Sequence, residues 1–552
     1  MYFKPLTFLF CLFYITLFVN ATNHTQPAVS KNQRYIIQLK PSTDIGHFIP
    51  NLLKDIFDLI GDVIGDLLDD ATHLDKRTNP VHVFDTFDID GSFKAISTKI
   101  EKHSLLGAML KHFDDIVAIV PDDVIQFDLP KPSSLHRRYY MRTVAPKNSS
   151  STSSKKSNGH ISKQTNAPWN LARISQRKSN PKSPYVYPEN AGHGVRVYVI
   201  DDGLNKDHHD FNGRASWGFS AIGNDTATRI GGGHGTHVSG IIAGKEYGVA
   251  KNATVVSVQV LGKNGQGTVS SLLTGLQWVV KDAKKHGKKS LVNMSLGIPS
   301  IAPSADTLDQ AITAAAKGGL PIIVAAGNSA SDACDVVPAG NPNVYTVAAS
   351  DKTDTLDPRS CYGKCVSITA PGINVESDYI GGTNATAVMS GTSMAAPHIT
   401  GIAALILQDL HNPTPKALFA ALTSLATKGA IKENRPHTVN LLAFNGAGQS
   451  IDKATAAATT TTTTKKQPTK TASKKKPSST KKPSKTASKK KPSPTKKPSK
   501  TTTKKHSPTK KPSNTTSKKH SSTKKPSKTA SKKSSSTTTK KHTATKKPSS
   551  KD

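Results

Sequence analysis

The chain has 552 residues and a formal net charge of +37, with 75 Lys and Arg against 38 Asp and Glu. Residues 451–552 alone hold 32 Lys and 2 Asp, so most of the charge belongs to an appendage and the remainder is only mildly basic. A uniformly basic folded core is thereby excluded, and the length allows more than one domain.

The first residues read MYFKPLTFLFCLFYITLFVNATNHT. Lys4 supplies a positive n-region, Leu6 to Val19 an apolar run, and Val19-Asn20-Ala21 a small-residue exit. The pattern predicts a secretory signal peptide over residues 1–21, cut after Ala21, and hence an extracellular protein. The apolar run is short for a span, so no membrane anchor is expected, and the hydrophilic C-terminus is read as lacking a lipid-anchor signal. Secretion implies an oxidising compartment. Cys11 leaves with the signal peptide, and Cys334, Cys361 and Cys365 remain, which predicts one disulfide and one free thiol. Asn23, Asn224, Asn252 and Asn384 head possible glycan sequons, whereas Asn293 sits in an apolar, strand-like run and is expected to be buried.

Residues 34–128, within a unit bounded at 30 and 130, read as a small α+β fold. RYIIQL is strand-like. Ile49, Leu52, Leu53, Ile56, Phe57, Ile60, Val63, Ile64, Leu67 and Leu68 then recur at helical spacing, one face of a helix of about six turns, weakened by Gly61 and Gly65. VHVFDTF, FKAIST, IVAIV and VIQFDL add short strands, and a second helix is predicted from Ile100 to His112. Residues 131–163 are Ser-, Lys- and Asn-rich without apolar periodicity and read as an exposed, cleavable linker. In residues 164–449, strand runs such as VRVYVI, ATVVSVQVL, SLVNMSL, LPIIVAA and VYTVAAS alternate with helical stretches such as SSLLTGLQWVVKDAKKHG. That alternation predicts an α/β fold, a mainly parallel sheet covered by helices on both faces. Residues 450–552 are low in complexity and nearly devoid of apolar side chains, so they cannot offset ordering entropy and are expected to be disordered.

Active sites of open parallel sheets lie beyond the carboxyl ends of the strands. Asp201 ends VRVYVI, Ser295-Leu296-Gly297 follows SLVNM, and Asn328 follows LPIIVAAG. GGGHGTHVSGIIAG and MSGTSMAAPHITGIAALIL are loop-to-helix junctions in which Gly and Ala permit close approach. Ser393 would start a helix whose first N–H groups and dipole favour negative charge, with Pro397 tolerable near that first turn.

Together, VYVIDDG, GGGHGTHVSG, LVNMSLG, VAAGN and SGTSMAAPH resemble the subtilisin-like serine proteases in order and spacing. TNAPWNLARIS and TVNLLAFN point to the proteinase K-like branch, and the resemblance covers residues 164–446. It implies a subtilisin-like three-layer domain and a secreted serine endopeptidase with Asp201, His234 and Ser393 as catalytic triad and Asn328 as oxyanion-hole donor. The serine hydroxyl needs a base near neutrality, which a histidine supplies, and the carboxylate fixes its tautomer. The resemblance places an extended substrate strand against Gly265-Gln266-Gly267 and Ser295-Leu296-Gly297. A broad apolar or aromatic preference is expected, although Ile298 and Val269 depart from the Gly and Tyr that relatives often carry at these subsites. It gives His237 a packing role rather than a metal, Ser390 a turn role, and Asp202 a position usually held by Thr or Ser, a charge beside the triad. Asp207, His208, His209 and Asp210 match a surface turn and are expected to be solvated or locally hydrogen-bonded.

The resemblance also pairs Cys334 with Cys365, leaving Cys361 free. No cofactor is required. Calcium is left open, because Ser367 stands where relatives carry a carboxylate near NPNVY. Residues 30–130 resemble the family's ferredoxin-like propeptide, an inhibitor and folding aid, with cleavage expected at 145–165. Partners expected are protein substrates, the chain's own propeptide and, through the basic tail, anionic cell-wall or surface polymers. A monomer without nucleic-acid partners is expected. The alternative is an inactive, adhesive relative whose tail carries the function, and retention of the four catalytic-site residues argues for the enzyme.

Overall fold

The computed structural model describes residues 34–55, 81–100, 112, 114–137, 161–180, 182–410 and 413–447. The signal peptide, the second half of the long leader helix, most of the second one, the linker over 138–160 and the basic tail lie outside them. The chain divides at Pro468, and the unit from Thr469 onward lies wholly outside the described residues.

The leader holds β1 (Arg34–Leu39), helical residues 45–55 (α1), β2 (Val81–Ile89), β3 (Phe93–Ile100), β4 (Ile116–Pro121), β5 (Val124–Gln126) and β6 (Ser134–Arg137). The first four strands form an antiparallel sheet in the order β2-β3-β1-β4, the ferredoxin-like arrangement. Alternation along β1 decides its two faces. Ile37 and Leu39 pack with Phe48 and Leu52 of α1, while Ile36, with Phe87, Ile89, Phe93 and Ala95, joins the core of the large domain.

The large domain begins earlier than its composition predicts. The segment read as linker has strands at both ends, because β6 pairs with a later strand and β7 (Ile161–Gln164) pairs antiparallel with β8 (Tyr185–Pro188), which follows α2 (Trp169–Ile174). Their exposed, polar alternation carried no core signal.

Then follow β9 (Arg196–Asp201), β10 (Ala215–Ser220), α3 (Thr226–Ile230), α4 (His234–Ala243), β11 (Thr254–Gln259), β12 (Gln266–Thr268), α5 (Val269–His286), β13 (Ser290–Met294), β14 (Ile298–Pro299), α6 (Ala305–Lys317), β15 (Ile322–Ala325), β16 (Val336–Val337), β17 (Tyr345–Ser350), β18 (Ile368–Pro371), β19 (Val375–Asp378), β20 (Ala385–Met389), α7 (Thr392–Leu407), α8 (Pro415–Leu425), β21 (Thr427–Lys428) and β22 (Leu441–Leu442).

The main sheet has the order β10-β11-β9-β13-β15-β17-β18-β22-β21, parallel except for its last pair. Strand order reverses about β9, so a crevice opens beyond the carboxyl ends of β9 and β13. Both faces are buried: Val197 and Val199 point into the core under α4, α7 and α8, while Tyr198 and Ile200 point into the core under α5 and α6. This period of two explains why these strands read as continuous apolar runs.

Helix α5 carries its apolar face at Val269, Leu272, Leu273, Leu276, Val279 and Val280, is capped by Thr268 accepting from the Ser271 N–H, and ends in Lys284, Lys285 and His286 before Gly287. Helix α7 is buried on every side, and its small residues let neighbours approach. The result is a three-layer α/β fold, a mainly parallel sheet between two helical layers. Two smaller sheets matter for the site: β12 pairs with leader strand β5, and β19-β20-β6 form a three-stranded sheet.

Candidate active site

Asp201 is the last residue of β9 and His234 the first of α4, and both are buried. His234 Nδ1 lies 2.8 Å from Asp201 Oδ1 and 3.0 Å from Oδ2. A carboxylate can only accept, so Nδ1 carries the hydrogen and Nε2 is the acceptor. Nε2 is buried without a hydrogen-bond partner. Gly235 makes this approach possible, since a Cβ there would lie 2.3 Å from the Gly203 carbonyl oxygen. Burial works against protonation of the imidazole, but the charge and hydrogen bond of Asp201 and the charge of Asp202 outweigh it and hold His234 above its ordinary value.

Ser393 is the second residue of α7. Its Oγ donates to the Ser295 carbonyl oxygen at 3.1 Å, and Ser295 Oγ donates back to the Ser393 carbonyl oxygen at 3.0 Å. Pro397, four residues on, has no N–H to offer that carbonyl, and Ser295 supplies the missing donor. Asn328 follows β15. Its Oδ1 accepts from the Thr392 N–H at 2.9 Å and from Thr392 Oγ1 at 3.0 Å, which leaves its Nδ2 amide turned away from Thr392. Asn328, Thr392, Ser393 and Ser295-Leu296-Gly297 line one cleft of about 720 Å³ together with Ile298 and leader residues 126–129.

One of the two predicted substrate segments, residues 265–267, is paired with the leader, and the other, Ser295-Leu296-Gly297, faces leader residues 126–129 across the same cleft. Gln266 and Gly267 pair with Gln126 and Ile125, and the Phe127 N–H donates to the Gly265 carbonyl oxygen at 2.9 Å. Pro130 then passes Gly391, where a Cβ would meet its Cγ at 3.0 Å. Asp122 binds elsewhere, capping α5 by accepting from the Ser270 N–H at 2.9 Å and Oγ at 2.6 Å.

Asp202 is buried and adds more than charge. Its Oδ2 accepts from the N–H groups of Gly232 (3.0 Å) and His234 (3.2 Å), and its Oδ1 from that of Gly235 (2.7 Å). It anchors the backbone at the start of α4, a role that its sequence position next to Asp201 did not disclose. Burial and the charge of Asp201 push its carboxyl up to about 7.

The surface-turn reading needs one correction. Asp207 and His209 are exposed, but His208 is only 4 % exposed: Nε2 lies 2.9 Å from the Ala385 carbonyl oxygen and Nδ1 3.3 Å from Asp378 Oδ1. Asp210 accepts from the backbone N–H groups of Glu246 and Tyr247. A flanking aromatic, Phe211, carries the turn inward and was the signal available. His237 is fully buried, its Nε2 against the carbonyl oxygens of Ala387 and Val375, and burial lowers its pKa to about 3, so it stays neutral. Ser390 Oγ accepts from the Asn374 N–H, as a turn residue does. Asn293 is buried, whereas Asn224 and Asn252 are exposed.

Cys334 and Cys365 form a disulfide with an S–S distance of 2.08 Å, and Cys361 is free and buried. The calcium position does not fit a hard cation. Ser367 Oγ accepts from the Thr346 N–H, and the Asn341 carbonyl oxygen of the side chain is taken by the Asn343 N–H. Among the described residues, no group of three or more His, Cys, Asp or Glu is placed to hold a metal. No described helix is long and apolar enough to cross a membrane.

The structure thus sets a carboxylate at a strand end, an imidazole at one helix start and a serine at another. The model of the Subtilase family matches residues 192–448. The subtilisin-like serine protease Pen c 2 of Penicillium citrinum is 46% identical over 310 residues, covering 52% of this chain and 67% of that protein. Subtilisin-like serine protease Pen ch 18 of Penicillium rubens is 45% identical over 313 residues, 53% of this chain, and the match spans 62% of the relative's length. Among solved structures, a cold-adapted subtilisin-like serine proteinase is 39% identical, with a TM-score of 0.48 over 51% of this chain and 98% of that one. The chain belongs to the subtilase family.

Proposed function

We propose that the chain is the zymogen of a secreted serine endopeptidase. The observation that carries this reading is the 2.8 Å contact between Asp201 and a His234 whose Nε2 is free to accept, with Ser393 and Asn328 facing one cleft. His234 takes the Ser393 proton as the hydroxyl attacks the scissile carbonyl carbon, and later returns it to the leaving amine. Asp201 holds the tautomer. The Ser393 N–H and Asn328 Nδ2 receive the charge on the carbonyl oxygen, the α7 dipole adding to them. The acyl-enzyme is then hydrolysed by water with His234 as base.

In this reading residues 30–130 are the inhibitory propeptide, supported by β5 lying along the substrate strand, and release follows cleavage at 145–165. The N-terminal sequence supports secretion, and the 32 lysines of the tail support tethering to anionic polymers. The test is casein hydrolysis by the expressed chain and by Ser393→Ala, with and without a serine-directed acylating inhibitor. Activity confined to the wild type and lost to the inhibitor is expected. An inactive wild type after propeptide removal would sink the reading.

A further inference from the structure

The leader crosses the cleft and continues on its far side. Phe127 is bonded to Gly265 ahead of the nucleophile, Pro130 passes Gly391, and the Ser133 N–H donates to the Val388 carbonyl oxygen at 2.8 Å. From there β6 runs antiparallel to β20, with Ser134, Leu135, His136 and Arg137 opposite Val388, Ala387, Thr386 and Ala385. β20 ends at Met389, four residues before Ser393. A polypeptide running in this direction has its amino-terminal part on β12 and its carboxyl-terminal part on β20. With β6 removed, β20 is an edge strand bearing unpaired backbone groups. Two acidic residues of β19 stand beside it: Asp378, fully buried, and Glu376, whose Oε1 accepts from Thr386 Oγ1 at 2.9 Å and lies 3.4 Å from His136 Nδ1. Leu135 is 66% exposed and anchors nothing, so backbone pairing rather than an apolar pocket holds the segment.

We infer that the edge of β20 is a substrate-binding strand on the leaving side of the cleft. It takes up, by antiparallel backbone pairing, the polypeptide that follows the scissile bond, and Glu376 favours a basic residue opposite Thr386. The ligand class is an extended or locally unfolded polypeptide, and β6 is its resident mimic in the zymogen. The inference rests on the endopeptidase reading and adds a second binding strand to it.

The test uses the full chain carrying Leu135→Pro and Arg137→Pro. These residues alternate with Ser133, so their N–H groups face β20, and proline removes them and frees the edge. Two peptides share the residues ahead of the cut, one ending about two residues beyond it and the other about ten, enough to reach along β20. The long peptide is expected to exceed the short one by about tenfold in kcat/KM, the value of a few added backbone bonds. N-methylation of alternate leaving-side residues removes the gain in one register and spares it in the other. Glu376→Gln lowers the preference for Lys over Gln opposite Thr386 by about two- to fivefold. Equal kcat/KM for the two lengths, with the short peptide turned over, overturns the inference and leaves the protease reading standing. If neither is cleaved, the protease reading fails, and anisotropy of the labelled peptides on the Ser393→Ala form decides the strand: tighter binding of the long peptide supports it and equal binding overturns it.

Discussion

Asp202 sits between the proposed catalytic carboxylate and the glycines that start α4, and its two roles can be separated. As a cap it accepts three backbone N–H groups; as a charge it helps hold His234 protonated. The proposed mechanism requires neutral His234, so the acid limb of kcat/KM is expected to rise with pH through a value above the ordinary histidine one. Asp202→Asn keeps an acceptor but removes the charge, and the acid limb is expected to move to lower pH. Asp202→Ala removes both and should also lower stability by about 1–2 kcal/mol, read by thermal unfolding. An unmoved pH profile in Asp202→Asn would show that the carboxyl is neutral in the resting enzyme. Asn328→Ala should lower kcat by about a hundredfold or more with little change in KM, a magnitude taken from a subtilisin oxyanion donor and not from this geometry.

At the scale of elements, two interactions hold segments that the chemistry needs. The Cys334–Cys365 disulfide closes a separation of 31 residues that includes the loop after β16 and the strand β17. On loop-closure entropy it contributes up to about 4 kcal/mol, so Cys365→Ser should unfold at a lower temperature, with or without reductant. Asp122 caps α5 from the leader side. Asp122→Ala weakens leader binding without touching the cleft, and the full chain should reach full caseinolytic activity after a shorter lag. A longer lag would mean that the contact serves folding more than inhibition.

For the whole molecule, the parallel sheet and the positions of Asp201, Ser295, Asn328 and Ser393 were legible because apolar runs with period two and small-residue helix junctions are local patterns. His208, the Asp202 cap and β6 were not. Each depends on a partner more than 25 residues away in the chain, such as Ala385, Gly232 or Val388, and nothing in the local composition marks it. The proposed tethering by the tail is likewise a property of the whole chain. Full-length protein should be retained on an acidic polymer and released by about 0.5 M salt, where screening falls below contact range, while a form ending at residue 450 flows through. Retention of the shortened form would assign binding to the folded domain.

The reciprocal bonds between Ser295 and Ser393 have a kinetic meaning. The acceptor that holds the Ser393 hydroxyl is the carbonyl oxygen of the very strand on which a peptide is expected to lie. On the proposed mechanism, an arriving backbone N–H would compete for that oxygen and release the hydroxyl to serve His234, whose Nε2 has no hydrogen-bond partner. With the leader across the cleft the hydroxyl is still held by Ser295, so release would be a step that follows departure of the leader and arrival of a substrate backbone.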